Sequence, residues 1–223
     1  MVIAIDGPAG TGKSSTAKAV AKRLKIMYLD TGAMYRVITL AAMRRGISSC
    51  DEAALADLVE RTSIGFTGVQ PQTTVWMDGE DVSTEIRGEK VTAKVSEYCA
   101  PAVVRRALVE QQRRIAGGQS VVCEGRDIGT TVFPDAELKI FMTASVAERA
   151  LRRKRDFDRM GIEKSIEEIS RELVERDRKD STRQVSPFVK ADDAIEMDTT
   201  GMTLDEQIEW VVDRARELEL EHR

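Results

Sequence analysis

Gly7-Pro8-Ala9-Gly10-Thr11-Gly12-Lys13-Ser14 decides how the rest of the chain is read. The run before it, Val2-Ile3-Ala4-Ile5, is short, apolar and β-branched, as a buried strand requires. After it, Ala17, Val20, Ala21 and Leu24 recur at helical spacing up to Lys25. The glycines therefore lie in a turn between a strand and a helix. Their spacing, G-x-x-x-x-G-K-S, is that of a phosphate-binding loop in the context that supports it. Glycine lets successive backbone N–H groups turn inward as an anion nest, and the helix N-terminus adds partial positive charge. Such a loop directs Lys13 at the β- and γ-phosphates of a nucleotide and offers the Ser14 hydroxyl to Mg²⁺.

The 223 residues suffice for one sizeable domain with insertions, and 42% hydrophobic content supplies a core. A net charge of −4 argues against a general nucleic-acid or membrane binder. No window approaches a membrane span, and the first strand begins too early for a signal peptide, so a cytoplasmic protein is expected. Cys50, Cys99 and Cys123 show no metal-like spacing and are expected to be reduced and half-buried. The only histidine is His222, near the C-terminus, so lysine, arginine, carboxylates and a metal must carry any chemistry.

Met27-Tyr28-Leu29 reads as a second strand, running into Asp30-Thr31, either of which can cap a helix from Gly32 to Arg45. Arg36 falls early in that helix, near a strand's carboxyl end, where parallel sheets collect ligands. Asp51 to Arg61 reads as a helix. Ile64–Thr67 and Thr74–Asp78, separated by Gly68 and Pro71, read as a small antiparallel excursion that covers a ligand. Two polar helices are expected at Glu85–Cys99 and Pro101–Ala116. Core strands follow at Ser120–Cys123, Leu138–Met142 and Ala194–Met197. The first of these ends in Glu124-Gly125-Arg126-Asp127, which a parallel sheet would set beside the phosphate loop. Ser145 with Glu148, Ser165 with Glu168 and Thr203 with Glu206 each read as a capping box. Strands alternating with helices give an α/β fold of the P-loop NTPase type, three-layered around a five-stranded parallel sheet.

Between Glu148 and Lys190, 23 of 43 residues are charged and 13 of those are basic, too balanced for a nucleic-acid tract. Arg149, Arg152 and Arg153 share one helix face, as do Arg176, Asp180 and Arg183 if their helix persists that far. Guanidinium groups bind phosphate oxygens bidentately at any relevant pH, so an arginine stripe here suggests a lid over phosphates. Phe157-Asp158-Arg159-Met160-Gly161 reads as its mobile tip.

These blocks together make the chain resemble the bacterial cytidylate kinases, a branch of the nucleoside monophosphate kinases. The resemblance runs nearly end to end: GPAGTGKS at 7–14, YLDTGAMYR at 28–36, GEDVSTEIR at 79–87, EGRDIGTTVFPDAELKIF at 124–141 and ERDRKDSTRQVSP at 175–187. It implies one kinase domain: a core over 1–37, 101–148 and 184–223, a monophosphate-binding insert over 38–100, and a lid over 149–183. It implies ATP held with Mg²⁺ by Gly7 to Ser14 and by Ser15, with Arg149, Arg152 and Arg153 reaching over the phosphoryl groups. For the acceptor, CMP or dCMP, it implies cytosine contacts from Ser96, Arg105 and Asp127, and a phosphate grip from Arg36, Arg126 and Arg183. Asp180 would hold the ribose with Arg176 beside it, and Thr31 stands where some members have serine. Glu124 stands where others have aspartate. A monomer is expected.

The implied base contacts are chemically consistent: arginine donates to cytosine O2 and N3, and aspartate accepts from the N4 amino group. Uracil would mismatch both. A regulatory GTPase would need an N-K-x-D motif, and the chain contains no asparagine.

Overall fold

The computed structural model describes residues 1–67, 73–159 and 161–221. Gly68, Pro71, Met160 and His222 lie outside them. The chain forms two compact units, one of Met1–Tyr28, Gln119–Arg183 and Pro187–Arg223, the other of Leu29–Gly118 with Gln184–Ser186.

In the first unit, β1 (Val2–Asp6) runs into the glycine loop and then α1 (Lys13–Leu24), and β2 (Met27–Asp30) leads out of it. The second unit holds α2 (Thr31–Arg44), α3 (Glu52–Arg61), β3 (Ile64–Thr67), β4 (Thr74–Met77), β5 (Glu80–Asp81), α4 (Glu89–Tyr98) and α5 (Ala102–Ala116). The chain then returns with β6 (Val121–Gly125), β7 (Leu138–Thr143), α6 (Val146–Arg159), α7 (Ile166–Thr182), β8 (Ile195–Asp198) and α8 (Leu204–Glu221). The main sheet has five strands in the order β2-β6-β1-β7-β8. β1 pairs in parallel with β6 (Ile3 opposite Val122) and with β7 (Ile5 opposite Ile140), and β7 pairs in parallel with β8. Parallel strands need crossovers, and α1, α2 and α6 follow β1, β2 and β7.

α1 and α8 pack together over this sheet, burying Ile3, Ile5, Val20, Val122, Ile140, Met142 and Val211 in one cluster. Each such side chain contributes about 1.5–3 kcal/mol. With the strands fixed, β1 and β6 set Gly7 and Arg126 side by side beyond the carboxyl ends of the central strands, Asp6 lying opposite Gly125.

In the second unit, α2 packs on α4 and α3 on α5. The excursion is antiparallel, with Ile64 opposite Met77 and Trp76 opposite Asp81. Arg44 on α2 ties it down with bonds to Glu80 and Glu85.

Three local expectations need correction. The helix expected over Glu85–Cys99 is broken: Glu85–Arg87 form a 3₁₀ turn, and α4 starts afresh after Gly88, which occupies its N-cap. The capping boxes at Ser165 and Thr203 form in full, but that at Ser145 forms by half. Glu148 turns instead to Arg152 at 2.9 Å, a helical i,i+4 ion pair. The cysteines are free, yet Cys99 and Cys123 are buried and Cys50 is exposed, so none is half-buried. No helix among the described residues is long and apolar enough to cross a membrane.

Candidate active site

The loop between β1 and α1 is tightly enclosed in the first unit. A Cβ on Gly7 would run into the carbonyl oxygen of Met142 on β7, so only glycine fits there. Four loop carbonyls are held by basic side chains. Gly7 O accepts from Arg126 Nη1 at 2.6 Å, Pro8 O from Lys13 Nζ at 2.8 Å, Ala9 O from Arg149 Nη1 at 3.2 Å, and Thr11 O from Arg152 Nη1 at 3.1 Å. Ser14 and Ser15 are exposed at the start of α1.

Lys13 is buried, and the cost of desolvating its ammonium is the main reason its pKa falls to about 7. The Arg126 and Arg176 charges add to the fall, while Glu124 and Asp6 oppose it. Asp6, buried at the end of β1, has its carboxyl pushed up to about 6 by burial, against the pull of N–H bonds from Gly129 (2.8 Å) and Ile128 (2.9 Å). These two bonds anchor the turn that follows Asp127 to the strand that launches the loop.

Arg126, Arg176 and Arg183 converge on the carboxylate of Asp180, at 3.0, 4.0 and 3.6 Å. Arg183 also lies 3.7 Å from Asp127. Burial pushes the Asp180 carboxyl up, but the three guanidinium groups outweigh it and the net shift is downward. Three fixed cations around two carboxylates leave positive charge for an incoming anion. α7 persists through Thr182, so Arg176 and Asp180 do share its face, and Arg183 caps it. Phe188 stacks on Phe141 and lies under the Arg126 guanidinium.

α6 and α7 form a hairpin with its own small core of Ala150, Phe157, Ile169 and Leu173. Phe157 is thus buried in α6 rather than standing at the tip, because it extends the apolar stripe begun by Ala150. Arg149 is bonded to Asp177 at 2.6 Å, and Arg152 reaches the Thr199 carbonyl at 2.7 Å. Arg153 stacks on the Phe157 ring, 4.5 Å from its centroid.

The remaining expected residues belong to the second unit. Arg36 donates to Thr92 Oγ1 at 2.8 Å and to Ile86 O at 3.3 Å. Arg105 is buried, stacked over Tyr35 at 5.0 Å and bonded to Cys99 O. Thr31 is buried at the start of α2, capped by Asp30 through Ala33 N–H, and Ser96 is partly buried on α4. Thus the first unit brings together the loop, Arg126, Asp127, Arg149, Arg152, Arg176, Asp180 and Arg183; the second holds Thr31, Arg36, Ser96 and Arg105.

A magnesium ion accompanying nucleotide phosphates takes hard oxygen donors. Ser14 Oγ, exposed and bonded to Glu124 Oε1 at 2.7 Å, with Tyr28 also on that oxygen, is a donor set that fits. Sequence reading passed over Asp6, Asp177, Thr199 and Gln207. Asp6 alone carried a signal, a carboxylate closing an otherwise apolar strand.

Residues 3–217 match the family model described as cytidylate kinase. The chain belongs to the cytidylate kinase family. It is 48% identical over 208 residues to the cytidylate kinase of Lactobacillus johnsonii, covering 93% of this chain and 90% of that one. It is 49% identical over 216 residues to the bifunctional pantoate ligase/cytidylate kinase of Nostoc sp., covering 95% of this chain but only 40% of that longer protein. An uncharacterized protein from Eubacterium ventriosum has a similar solved structure, with a TM-score of 0.54 at 12% identity over 97% of this chain and 98% of that one, a likeness of fold alone.

Proposed function

We propose that this kinase transfers the γ-phosphoryl group of ATP to the 5′-phosphate of CMP or dCMP, giving ADP and the cytidine diphosphate. One observation carries the reading beyond family likeness: a single guanidinium, Arg126, bonds the phosphate loop at Gly7 O and the Asp180 cluster at the same time. A donor cradle and an anion-receptive arginine set thus share a residue.

In this reading the backbone of Gly7 to Ser15 and Lys13 hold the ATP phosphates. The Ser14 hydroxyl, backed by Glu124, would hold Mg²⁺, which when bound neutralises charge on the phosphates. Arg36, Arg126 and Arg183 grip the acceptor phosphate. Asp180 and Arg176 hold its ribose, Thr31 lines the same site, and Ser96, Arg105 and Asp127 read cytosine. Arg149, Arg152 and Arg153 serve the transferring group; the first two give up their loop carbonyls to do so. The acceptor is already an anion near neutral pH and needs no strong base, so catalysis is positioning and charge stabilisation. The antiparallel excursion closes on CMP and the α6–α7 hairpin on ATP, excluding water as a competing acceptor. The reading includes a monomeric, cytoplasmic enzyme that binds neither nucleic acid nor membrane. A coupled assay of ADP formation with CMP, dCMP, UMP and AMP tests it: turnover is expected with the cytidine nucleotides, and its absence with both refutes the reading.

A further inference from the structure

The loop is braced from behind by the segment joining β8 to α8. Thr199, the residue after β8, is fully buried. Its hydroxyl lies 3.0 Å from Thr11 O and 2.9 Å from Thr143 O, and it accepts from Arg152 Nη1 at 3.1 Å. Its N–H donates to Thr143 O at 2.8 Å, which locks Thr199 to the end of β7. Eight residues on, Gln207 is buried in the first turn of α8. Its Oε1 accepts from Thr16 Oγ1 at 2.8 Å and its Nε2 donates to Met202 O at 3.3 Å.

Thr199 acts on one peptide of the loop, and Gln207 backs the same turn. A trans peptide is planar, with its C=O and N–H pointing in opposite directions. Thr199 holds the Thr11 carbonyl to the rear whether or not Arg152 stays on it, so the Gly12 N–H is turned the other way, into the nest. Gly12 has φ +95°, and a Cβ there would come within 2.8 Å of Gln207 Oε1. Gln207 therefore closes the rear of the same turn, and through Thr16 it fixes the first turn of α1.

We propose that Thr199 and Gln207 are positioning residues for the donor nucleotide, which pre-set the Thr11–Gly12 peptide and the start of α1 so that their N–H groups meet the ATP phosphates without reorganisation. Neither touches substrate. The inference rests on the loop being the donor site, and one experiment separates the two claims.

Mg-ATP binding is measured by calorimetry, with KM for ATP and for CMP, on the unaltered protein and on Thr199→Val, Thr199→Ser and Gln207→Met. Thr199→Val keeps the shape and removes the hydroxyl; loss of its hold on the Thr11 carbonyl predicts about tenfold weaker ATP binding and a matching rise in the ATP KM. KM for CMP stays unchanged, and Thr199→Ser restores ATP binding. Gln207→Met shows the same one-sided loss, which keeps the test open if Thr199→Val does not fold. Unaltered protein that binds no Mg-ATP refutes the donor-site reading itself. Unaltered protein that binds it, with variants that bind equally well or that weaken ATP and CMP together, overturns the positioning role.

Discussion

Arg126 Nε lies 3.0 Å from Asp180 Oδ2, with Asp180 buried in α7 and Arg126 just beyond β6. The same guanidinium rests on Gly7 O and over the Phe188 ring, so its plane is fixed on three sides. Lysine keeps the charge but cannot span two acceptors with a planar fork. Arg126→Lys is expected to raise KM for both substrates and lower kcat/KM by about 10²-fold or more, the scale of losing one preorganised donor. An effect confined to one substrate would contradict a shared residue.

Lys13→Met is expected to remove most of kcat, by about 10²–10³-fold, while thermal unfolding shows an intact fold. The side chain is buried with a depressed pKa, so removing it relieves a desolvation cost. Turnover like that of the unaltered protein would rule out the role.

The depressed Lys13 pKa also predicts a proton linkage. Without ligand the lysine is largely neutral above pH 7, and a bound phosphate anion restores its charge. ATP binding at pH 8 should therefore take up protons, and affinity should weaken as pH rises above about 7. Calorimetry in two buffers of different ionisation enthalpy checks this; Lys13→Met should abolish the uptake.

Asp6 gives a stability signature of the opposite kind. Its folded pKa of about 6 stands above the ordinary 3.8, so the folded state holds the proton longer than the unfolded one. Stability from this group is full below about pH 4 and is lost as pH rises through 6, on the order of 3 kcal/mol in all. Asp6→Asn should flatten the urea-midpoint profile over that interval. An unaltered slope would place its origin elsewhere.

Asp127 is buried beside Arg183, and Asp127→Ala should lower the preference for CMP over UMP by roughly tenfold or more, since one mismatched buried polar group is worth about 1–3 kcal/mol. Competition between the two nucleotides at equal concentration measures the ratio directly; no change would exclude base reading at Asp127.

What the sequence made legible was local. The β1–loop–α1 unit, the strand positions and the α7 stripe all follow from periodicity within a dozen residues. Gly88 marks the break before α4, and the charge around Phe157 masks the apolar stripe it shares with Ala150. Thr199 and Gln207 are not legible because their partners lie 188 and 191 residues away. Only the folded sheet brings such pairs together.

In the proposed reaction an ATP phosphate loop serves a cytidine monophosphate acceptor site. Incubation with ATP labelled in the γ-phosphate, against each nucleoside monophosphate in turn, tests it most directly. The label is expected to appear in the diphosphates of CMP and dCMP, with UMP labelled more slowly by about two orders of magnitude, as two mismatched base contacts require. Label passing preferentially to AMP or UMP, or to no monophosphate, would contradict it.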